Sequence, residues 1–169
     1  VLLSMHRRAL STEQLGLLKD FLKAGKPLVG IRTASHALAA DQVPVGHVAW
    51  PEFDREVPGC YYRGHHDNKQ AGDPRTNVWR VADAADHPIL KGFPEGEMVV
   101  PSWLYKSQPL ALGAGVLLMG RVADRAPHEP VAWTWKRPDG GRVFYTSLGS
   151  PEDLQIPAIE RLVVSGLYW

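Results

Sequence analysis

The sequence predicts an α/β domain with a mainly parallel sheet, helices on both faces and an antiparallel extension. A strand, a helix and a second strand fit within the first 31 residues, which is the size of a βαβ unit and favours a parallel pair. Later, Asp139-Gly140-Gly141 separates two apolar segments and is typical of a hairpin turn between antiparallel strands. With 169 residues, 44% hydrophobic and 22% charged, the chain is predicted to form one soluble globular domain over residues 1–169.

The elements of the βαβ unit have local signals of their own. Residues 1–5 form an apolar run that predicts a strand, and Ser11 followed by Gln14 has the spacing of a capping box at a helix start. Leucines at helical spacing follow, and Gly25 offers a stop. The apolar run 27–31 has no polar alternation, so it predicts an inner parallel strand covered on both faces.

Beyond residue 75, further strands are predicted at 77–81, 97–100, 116–119, 130–135 and 142–147, with a closing helix at 156–169. Residues 40–75 are rich in proline and glycine and also carry aromatic side chains. Long irregular segments of this kind in a compact domain are usually functional. We expect this loop to wall a site, with Trp50 and one of His65 or His66 approaching it.

The charge balance excludes some classes of partner. Nineteen basic and 18 acidic residues leave a net charge of +1, so no overall field favours nucleic acid, and no apolar run has the length of a membrane helix. We expect a small-molecule sugar or anion as ligand, and the sequence allows a homo-oligomer. The sequence does not decide between the cytoplasm and the periplasm as the location of the protein. The chain begins without Met inside a predicted strand, so we expect a segment before residue 1.

Polar side chains follow three predicted strands, and this is the main indication of a site. Ligands of α/β sheets bind beyond the carboxyl ends of the strands, which share one edge. We therefore expect Arg32, His36, Ser150 and Glu152 to line one crevice. A buried arginine needs acceptors, so Arg32 is predicted to pair with Glu152.

Roles are assigned by side-chain chemistry. The candidate acid–base residues are His36, Glu52, His66 and Glu152. The candidate substrate-binding residues are His6, Arg7, Arg32, Trp50, His65 and Ser150. No cofactor is predicted, because no H-x-x-x-H or H-E-x-x-H pattern appears and Arg32 would repel a cation. A divalent metal held by His36, His65, His66 or Glu52 is the less favoured alternative.

The segment after the second strand has the strand, turn and helix layout of a nucleophile elbow. Its nucleophile position, two residues after Gly30, is Arg32, which stays protonated and is no nucleophile. Ser35 lies too far along for the elbow and is predicted to cap a helix. Cys60 has no predictable basic partner and is predicted to be a small buried residue.

These segments carry a family resemblance. The matching stretches are H-R-R-A-L-S-T-E-Q (6–14), K-P-L-V-G-I-R-T-A-S-H-A (26–37), W-P-E-F-D (50–54), R-G-H-H (63–66), E-P-V-A-W (129–133) and R-V-F-Y-T-S-L-G-S-P-E-D (142–153). Taken together, they make the chain resemble the ThuA-like (trehalose utilisation) family of the class I glutamine amidotransferase-like superfamily. The resemblance implies a flavodoxin-like sheet whose first strand and helix would precede residue 1. It also implies a role in the breakdown of trehalose or another disaccharide, with keto-sugars as intermediates.

The chain departs from the superfamily at its reactive positions. Glutamine amidotransferases carry Cys at the elbow and a His-x-Glu pair in the last segment, where this chain has Arg32, Ser150 and Glu152. Cys–His glutaminase chemistry is therefore not expected. The resemblance also implies that relatives usually have His at the Arg32 and Ser150 positions. Any acid–base or metal-binding role of those histidines in relatives is therefore not expected in this chain.

Three readings of function stay open at this point. The chain is a hydrolase- or isomerase-type enzyme acting on a sugar or keto-sugar, with Arg32 holding an oxyanion. Alternatively, it is a carbohydrate-binding domain that lost the chemistry. In the third reading it is an anion-binding domain built on His6, Arg7, Arg8 and Arg32 near a helix start.

Overall fold

A computed structural model describes residues 1–66, 68 and 70–169. In this part of the chain, seven strands form one sheet in the order β1-β3-β9-β8-β7-β5-β6, and β2 and β4 form a separate antiparallel pair. The strands are β1 (Leu2–Leu3), β2 (Leu10–Ser11), β3 (Leu28–Ile31), β4 (His47–Val48), β5 (Thr76–Arg80), β6 (Met98–Val100), β7 (Gly115–Val122), β8 (Arg125–Lys136) and β9 (Arg142–Thr146). The helices are α1 (Thr12–Lys23), α2 (Phe53–Glu56) and α3 (Pro157–Tyr168).

The first half of the sheet is parallel. Strand β3 lies between β1 and β9 and pairs with both in parallel register, with Gly30 opposite Leu3 on one side and Tyr145 on the other. All four residues of β3 are buried, because a parallel strand in the middle of a sheet is covered on both faces. The prediction of an inner parallel strand is confirmed.

The rest of the sheet corrects the prediction of a mainly parallel arrangement. Four pairings among β9, β8, β7, β5 and β6 are antiparallel and two pairings are parallel, so the sheet is mixed. The reason is connection length, since a parallel neighbour needs a crossover of a dozen or more residues. Here two residues join β7 to β8, and five residues, including the predicted turn, join β8 to β9.

Helices cover both faces of the sheet, as predicted. In β9, Val143 and Tyr145 pack in the cluster that contains Leu15 and Leu22 of α1. Phe144 points the other way, into the cluster with residues of α3. This alternation follows from the two-residue period of a strand.

The start of α1 is the predicted capping box. The Ser11 hydroxyl accepts the N–H of Gln14 at 3.2 Å, and the Gln14 side chain accepts the N–H of Ser11 at 3.1 Å. After the helix, Gly25 has a φ of 70°, the left-handed conformation expected of a glycine stop. In the described ranges, no helix has the length and apolar character needed to cross a bilayer.

Candidate functional site

The parallel strands bring three polar segments to one edge of the sheet. Strands β1, β3 and β9 are adjacent and parallel, so their carboxyl ends lie on the same side. His6 follows β1, Arg32 directly follows β3, and residues 147–153 follow β9. This edge is where the sequence placed the candidate site.

Arg32 stands at a sharp turn between β3 and a short 3₁₀ helix, Arg32–His36. Its φ is 50°, a left-handed conformation that side chains rarely adopt. A Cβ at Gly30 would lie 3.0 Å from the Tyr145 ring and 3.2 Å from the Cβ of Ala34, so the turn needs glycine there. The Tyr145 hydroxyl donates to the Arg32 carbonyl at 2.5 Å. The layout is that of an elbow, with a guanidinium in place of a nucleophile.

The Arg32 side chain is held by Ser102 and, through it, by Asp153. One guanidinium nitrogen donates to Ser102 Oγ at 2.8 Å, and the Ser102 hydroxyl donates to Asp153 Oδ2. The fully buried Asp153 carboxylate also accepts the N–H groups of Ser102 (3.2 Å), Gly149 (2.8 Å) and Ser150 (3.2 Å). This network ties β3, β9 and the segment after β6 together.

The predicted pairing of Arg32 with Glu152 is therefore corrected. A 3₁₀ helix, Asp153–Gln155, turns Asp153 inward and leaves Glu152 exposed. The pKa of Glu152 is lowered by its own N–H, the Ser150 hydroxyl and the charge of Arg32, so the field of Arg32 reaches it without a direct bond. The Ser150 side chain is buried and its Oγ accepts the N–H of Asp153 at 3.1 Å, a turn-capping contact.

Stacked rings extend the site from Arg32 towards β1. The imidazole of His36 lies on the Tyr62 ring with centroids 3.9 Å apart and planes 13° apart. The His6 ring meets His36 edge-on at 5.2 Å, and Tyr62 meets Tyr105 at 5.2 Å. Loop 40–75 therefore does wall this edge, through Tyr62.

Two aromatic residues flank the guanidinium of Arg32. Trp103 and Tyr105 each have a ring centroid 5.7 Å from its central carbon. The ring of His65 lies 5.1 Å from Trp103. We call the connected set the strand-end site, and its members are His6, Arg32, His36, Tyr62, His65, Trp103 and Tyr105.

His36 is an uncharged imidazole at neutral pH. Burial, followed by the charges of His6, Arg7, Arg32 and His65, lowers its pKa to about 3. Ser35 is not the predicted helix cap, because its hydroxyl lies 3.1 Å from His36 Nδ1 inside the 3₁₀ helix. The site thus combines a fixed cation with a neutral ring that can donate or accept a hydrogen bond.

Burial and the neighbouring Tyr105 raise the pKa of Tyr62 to about 12, so the Tyr62 phenol keeps its proton. Burial likewise raises the pKa of Tyr105. Both phenols therefore bring hydroxyl groups and ring faces to the site, not negative charge.

Two cavities adjoin the site. An open groove of about 630 Å³ is lined by residues 4–8, Asp41 and Gln42. A smaller cavity of about 170 Å³ is lined in part by His36 and Tyr62, and Arg7 lines both cavities. The Arg7 guanidinium pairs with Asp41 at 2.6 Å, so its charge is already matched.

Trp50 and Glu52 do not join the strand-end site, which corrects their prediction. The Trp50 indole donates to Glu56 at 2.9 Å and has Lys19 of α1 over its ring at 4.6 Å. Glu52 is exposed and its carboxylate lies 4.0 Å from the Arg55 guanidinium. Phe53 is a core residue packed against the Trp50 ring, which directs Trp50 to the α1 side.

His66 belongs to a different pair. Its Nε2 lies 3.3 Å from Oε1 of Glu129, a buried carboxylate that also accepts the Ser107 N–H at 3.2 Å. His65 and His66 thus contact different neighbours, as adjacent residues in extended chain do. In the part of the chain that the structure describes, no group of three His, Cys, Asp or Glu side chains is placed to hold a metal ion.

The segment that closes the site was not predicted from the sequence. Ser102, Trp103 and Tyr105 lie between β6 and β7, where no element was predicted. This segment runs antiparallel to residues 63–66, through N–H to carbonyl bonds from His66 to Leu104 and from Arg63 to Lys106. The available signal was the two-residue spacing of Trp103 and Tyr105, which puts two rings on one side of an extended chain.

The comparisons agree with this architecture. The ThuA family model, described as trehalose utilisation, matches residues 1–169. The fold is similar to a ThuA-like protein from Bacteroides uniformis, with 19% identity and a TM-score of 0.69 over 99% of this chain and 67% of that one. A ThuA-like protein from Parabacteroides merdae has 19% identity and a TM-score of 0.67, covering 100% and 68%. None of the curated proteins matches. Since the family model spans the whole chain, the chain belongs to the ThuA (trehalose utilisation) family.

Proposed function

We propose that the chain binds a sugar or keto-sugar at the strand-end site and acts in the use of trehalose or a related disaccharide. The observation that carries this proposal is the half-buried Arg32 guanidinium, held by Ser102 and flanked by Trp103 and Tyr105. Aromatic faces suit the apolar face of a sugar ring, and a fixed cation suits a carbonyl or hydroxyl oxygen. The family match supports the sugar assignment.

As an enzyme, the chain is proposed to be of the hydrolase or isomerase type. Arg32 stabilises negative charge that develops on a sugar oxygen, because its charge is permanent and anchored before the ligand arrives. His36, uncharged at neutral pH, accepts a proton next to it, and Glu152 supplies a carboxylate within the field of Arg32. The parallel strands β1, β3 and β9 are the part that we relate to a flavodoxin-like sheet.

Glutamine hydrolysis is not part of the proposal. The elbow residue is Arg32, and Cys60 is buried with its pKa raised well above the ordinary value by burial and by Asp54. A thiol that is neither exposed nor ionised is a poor nucleophile.

The second candidate is a carbohydrate- or anion-binding domain without catalysis. It is favoured by Ser150, whose hydroxyl caps Asp153 at a position where the family resemblance implies a histidine. With Arg32 and Ser150 in place of two histidines, this chain has fewer groups for proton transfer than such a relative.

The test is a panel of trehalose, other disaccharides and 3-keto-glycosides, scored by thermal shift and by product release. We expect at least one sugar to raise the melting temperature, with the effect reduced in Arg32→Gln. Arg142→Gln is the matched control, because Arg142 lies at the amino end of β9, away from the strand-end site. Turnover supports the enzyme, binding without turnover supports the second candidate, and a panel without any shift contradicts the proposal.

A further inference from the structure

The strand-end site contains a permanent cation, Arg32, and a second permanent cation, Arg7, acts on the same His36 ring. Of the nearby carboxylates, Asp41 pairs with Arg7, Asp54 accepts the N–H groups of Arg55 and Tyr62, and Asp153 is buried behind Ser102. Glu152 is exposed to water and lies within the field of Arg32 without bonding to it directly.

Arg32 keeps most of its hydrogen-bonding capacity. A guanidinium has five N–H donors, and among the described residues the Arg32 guanidinium uses one, to Ser102 Oγ. Within that same set, no carboxylate oxygen lies within the 4.0 Å of an ion pair with Arg32. The flanking rings stabilise the charge from their faces but accept no in-plane hydrogen bond.

The carboxylate behind Ser102 is already engaged. Asp153 already accepts four hydrogen bonds on its two oxygens, and Tyr62 keeps its proton. A neutral sugar hydroxyl both donates and accepts, whereas a carboxylate or phosphate only accepts and matches a planar guanidinium with two parallel bonds. The donor-rich surroundings of Arg32 therefore fit an oxyanion better than a hydroxyl group.

We propose that the sugar bound at the strand-end site carries an acidic group, a carboxylate or a phosphate, which binds the Arg32 guanidinium. This inference rests on the proposed function for the sugar part of the ligand. It goes further in naming acidic sugars as the substrate class. The ring would then lie towards Trp103 and Tyr105, which flank Arg32.

The experiment compares three compounds that share one ring: glucose, glucuronate and glucose 6-phosphate. Binding is measured by isothermal titration calorimetry to the wild-type chain, Arg32→Gln, Arg32→Lys and the control Arg142→Gln, each checked for folding by circular dichroism. Inorganic phosphate is titrated as a fourth probe. We expect one or both acidic sugars to bind to the wild type at least about tenfold more tightly than glucose. The reason is that glucose has no charged group and cannot form the charge-assisted pair with Arg32.

Arg32→Gln is expected to remove this preference, while Arg142→Gln keeps it. Arg32→Lys is expected to keep part of it, because lysine retains the charge without the planar pair of donors. The proposal is overturned if glucose binds as tightly as both acidic sugars, if none of the three binds, or if the preference survives in Arg32→Gln.

Two further outcomes separate this proposal from the proposed function. Inorganic phosphate binding as tightly as glucose 6-phosphate supports an oxyanion site but counts against the sugar. A neutral disaccharide that binds in the thermal-shift panel while both acidic sugars fail overturns the acidic-ligand proposal and leaves the proposed function standing.

Discussion

Asp153 is a fully buried carboxylate that connects three segments of the chain. It accepts the hydroxyl and N–H of Ser102 together with the N–H groups of Gly149 and Ser150. In Asp153→Asn, an NH₂ group must face one of these donors, and a buried donor is left without an acceptor. We expect the free energy of unfolding to fall by about 2–3 kcal/mol in urea titrations.

The matched control for this variant is Asp124→Asn, in the exposed turn between β7 and β8. Its change is expected to stay within about 0.5 kcal/mol, as for most surface positions. Equal losses in the two variants would show that Asp153 contributes no more than a surface carboxylate.

His36 makes stability depend on pH in a defined window. Burial, followed by the charges of His6, Arg7, Arg32 and His65, lowers its pKa from 6.5 to about 3 in the folded chain. Between these two values the unfolded chain binds more protons, so stability is highest above pH 6.5 and falls as the pH drops towards 3. We expect the wild type to lose about 1–2 kcal/mol more than His36→Gln between pH 7 and pH 5.

Urea titrations at each pH measure this difference. His47→Gln, which removes an exposed imidazole on β4, is the control for the substitution itself. Parallel pH profiles for wild type and His36→Gln would refute the assigned role of His36.

At the scale of elements, α1 and α3 each contain one glycine, and the two positions form a matched pair for substitution by alanine. Gly166 of α3 packs against the sheet, and a Cβ there would overlap the Phe144 ring. A Cβ added at Gly16 of α1 would have no atom within 4 Å of it. Alanine favours a helix by about 1 kcal/mol over glycine, so Gly16→Ala is expected to stabilise the chain.

Gly166→Ala is expected to destabilise it by about 1–3 kcal/mol, because the packing overlap exceeds the helical gain. Thermal and urea unfolding of both variants measure the two signs. A stabilised Gly166→Ala variant would mean that α3 shifts away from β9 at little cost.

The elements also show what local patterns can and cannot predict. The capping box at Ser11 and the inner strand β3 were predictable, because each depends on neighbours in sequence. The segment with Ser102, Trp103 and Tyr105 was not, because it has no ladder of its own and is held by residues 63–66 and by Arg32. Trp50 was assigned to the site for its ring alone, whereas in the fold that ring contacts Phe53, Glu56 and Lys19.

At the scale of the whole molecule, the single cysteine reports on global unfolding. Cys60 is 2% exposed and lies in the α1-side core, so its thiol is shielded in the folded chain. We expect a thiol reagent such as DTNB to modify it at a rate limited by opening of the fold, and to react at once in guanidinium.

Ammonia release from glutamine is expected to stay at background.

Rapid modification of the folded chain would contradict the burial of Cys60. Ammonia release that is lost in Cys60→Ala would overturn the exclusion of glutaminase chemistry. Cys60→Ala compared with wild type therefore separates a reactive thiol from a contaminating activity.

The sequence by itself determined the α/β character, the parallel start of the sheet, the elbow at Arg32 and the family. These depend on local spacing and on motifs that survive in order along the chain. Only the tertiary structure decided that the sheet is mixed and that Asp153 rather than Glu152 anchors Arg32 through Ser102. It also decided that Trp103 and Tyr105 flank Arg32 and that Tyr62 stacks on His36. The physical reason is sequence separation: Ser102 lies 70 residues from Arg32 and 51 from Asp153, and contacts between such distant segments are set by how the strands and loops pack together.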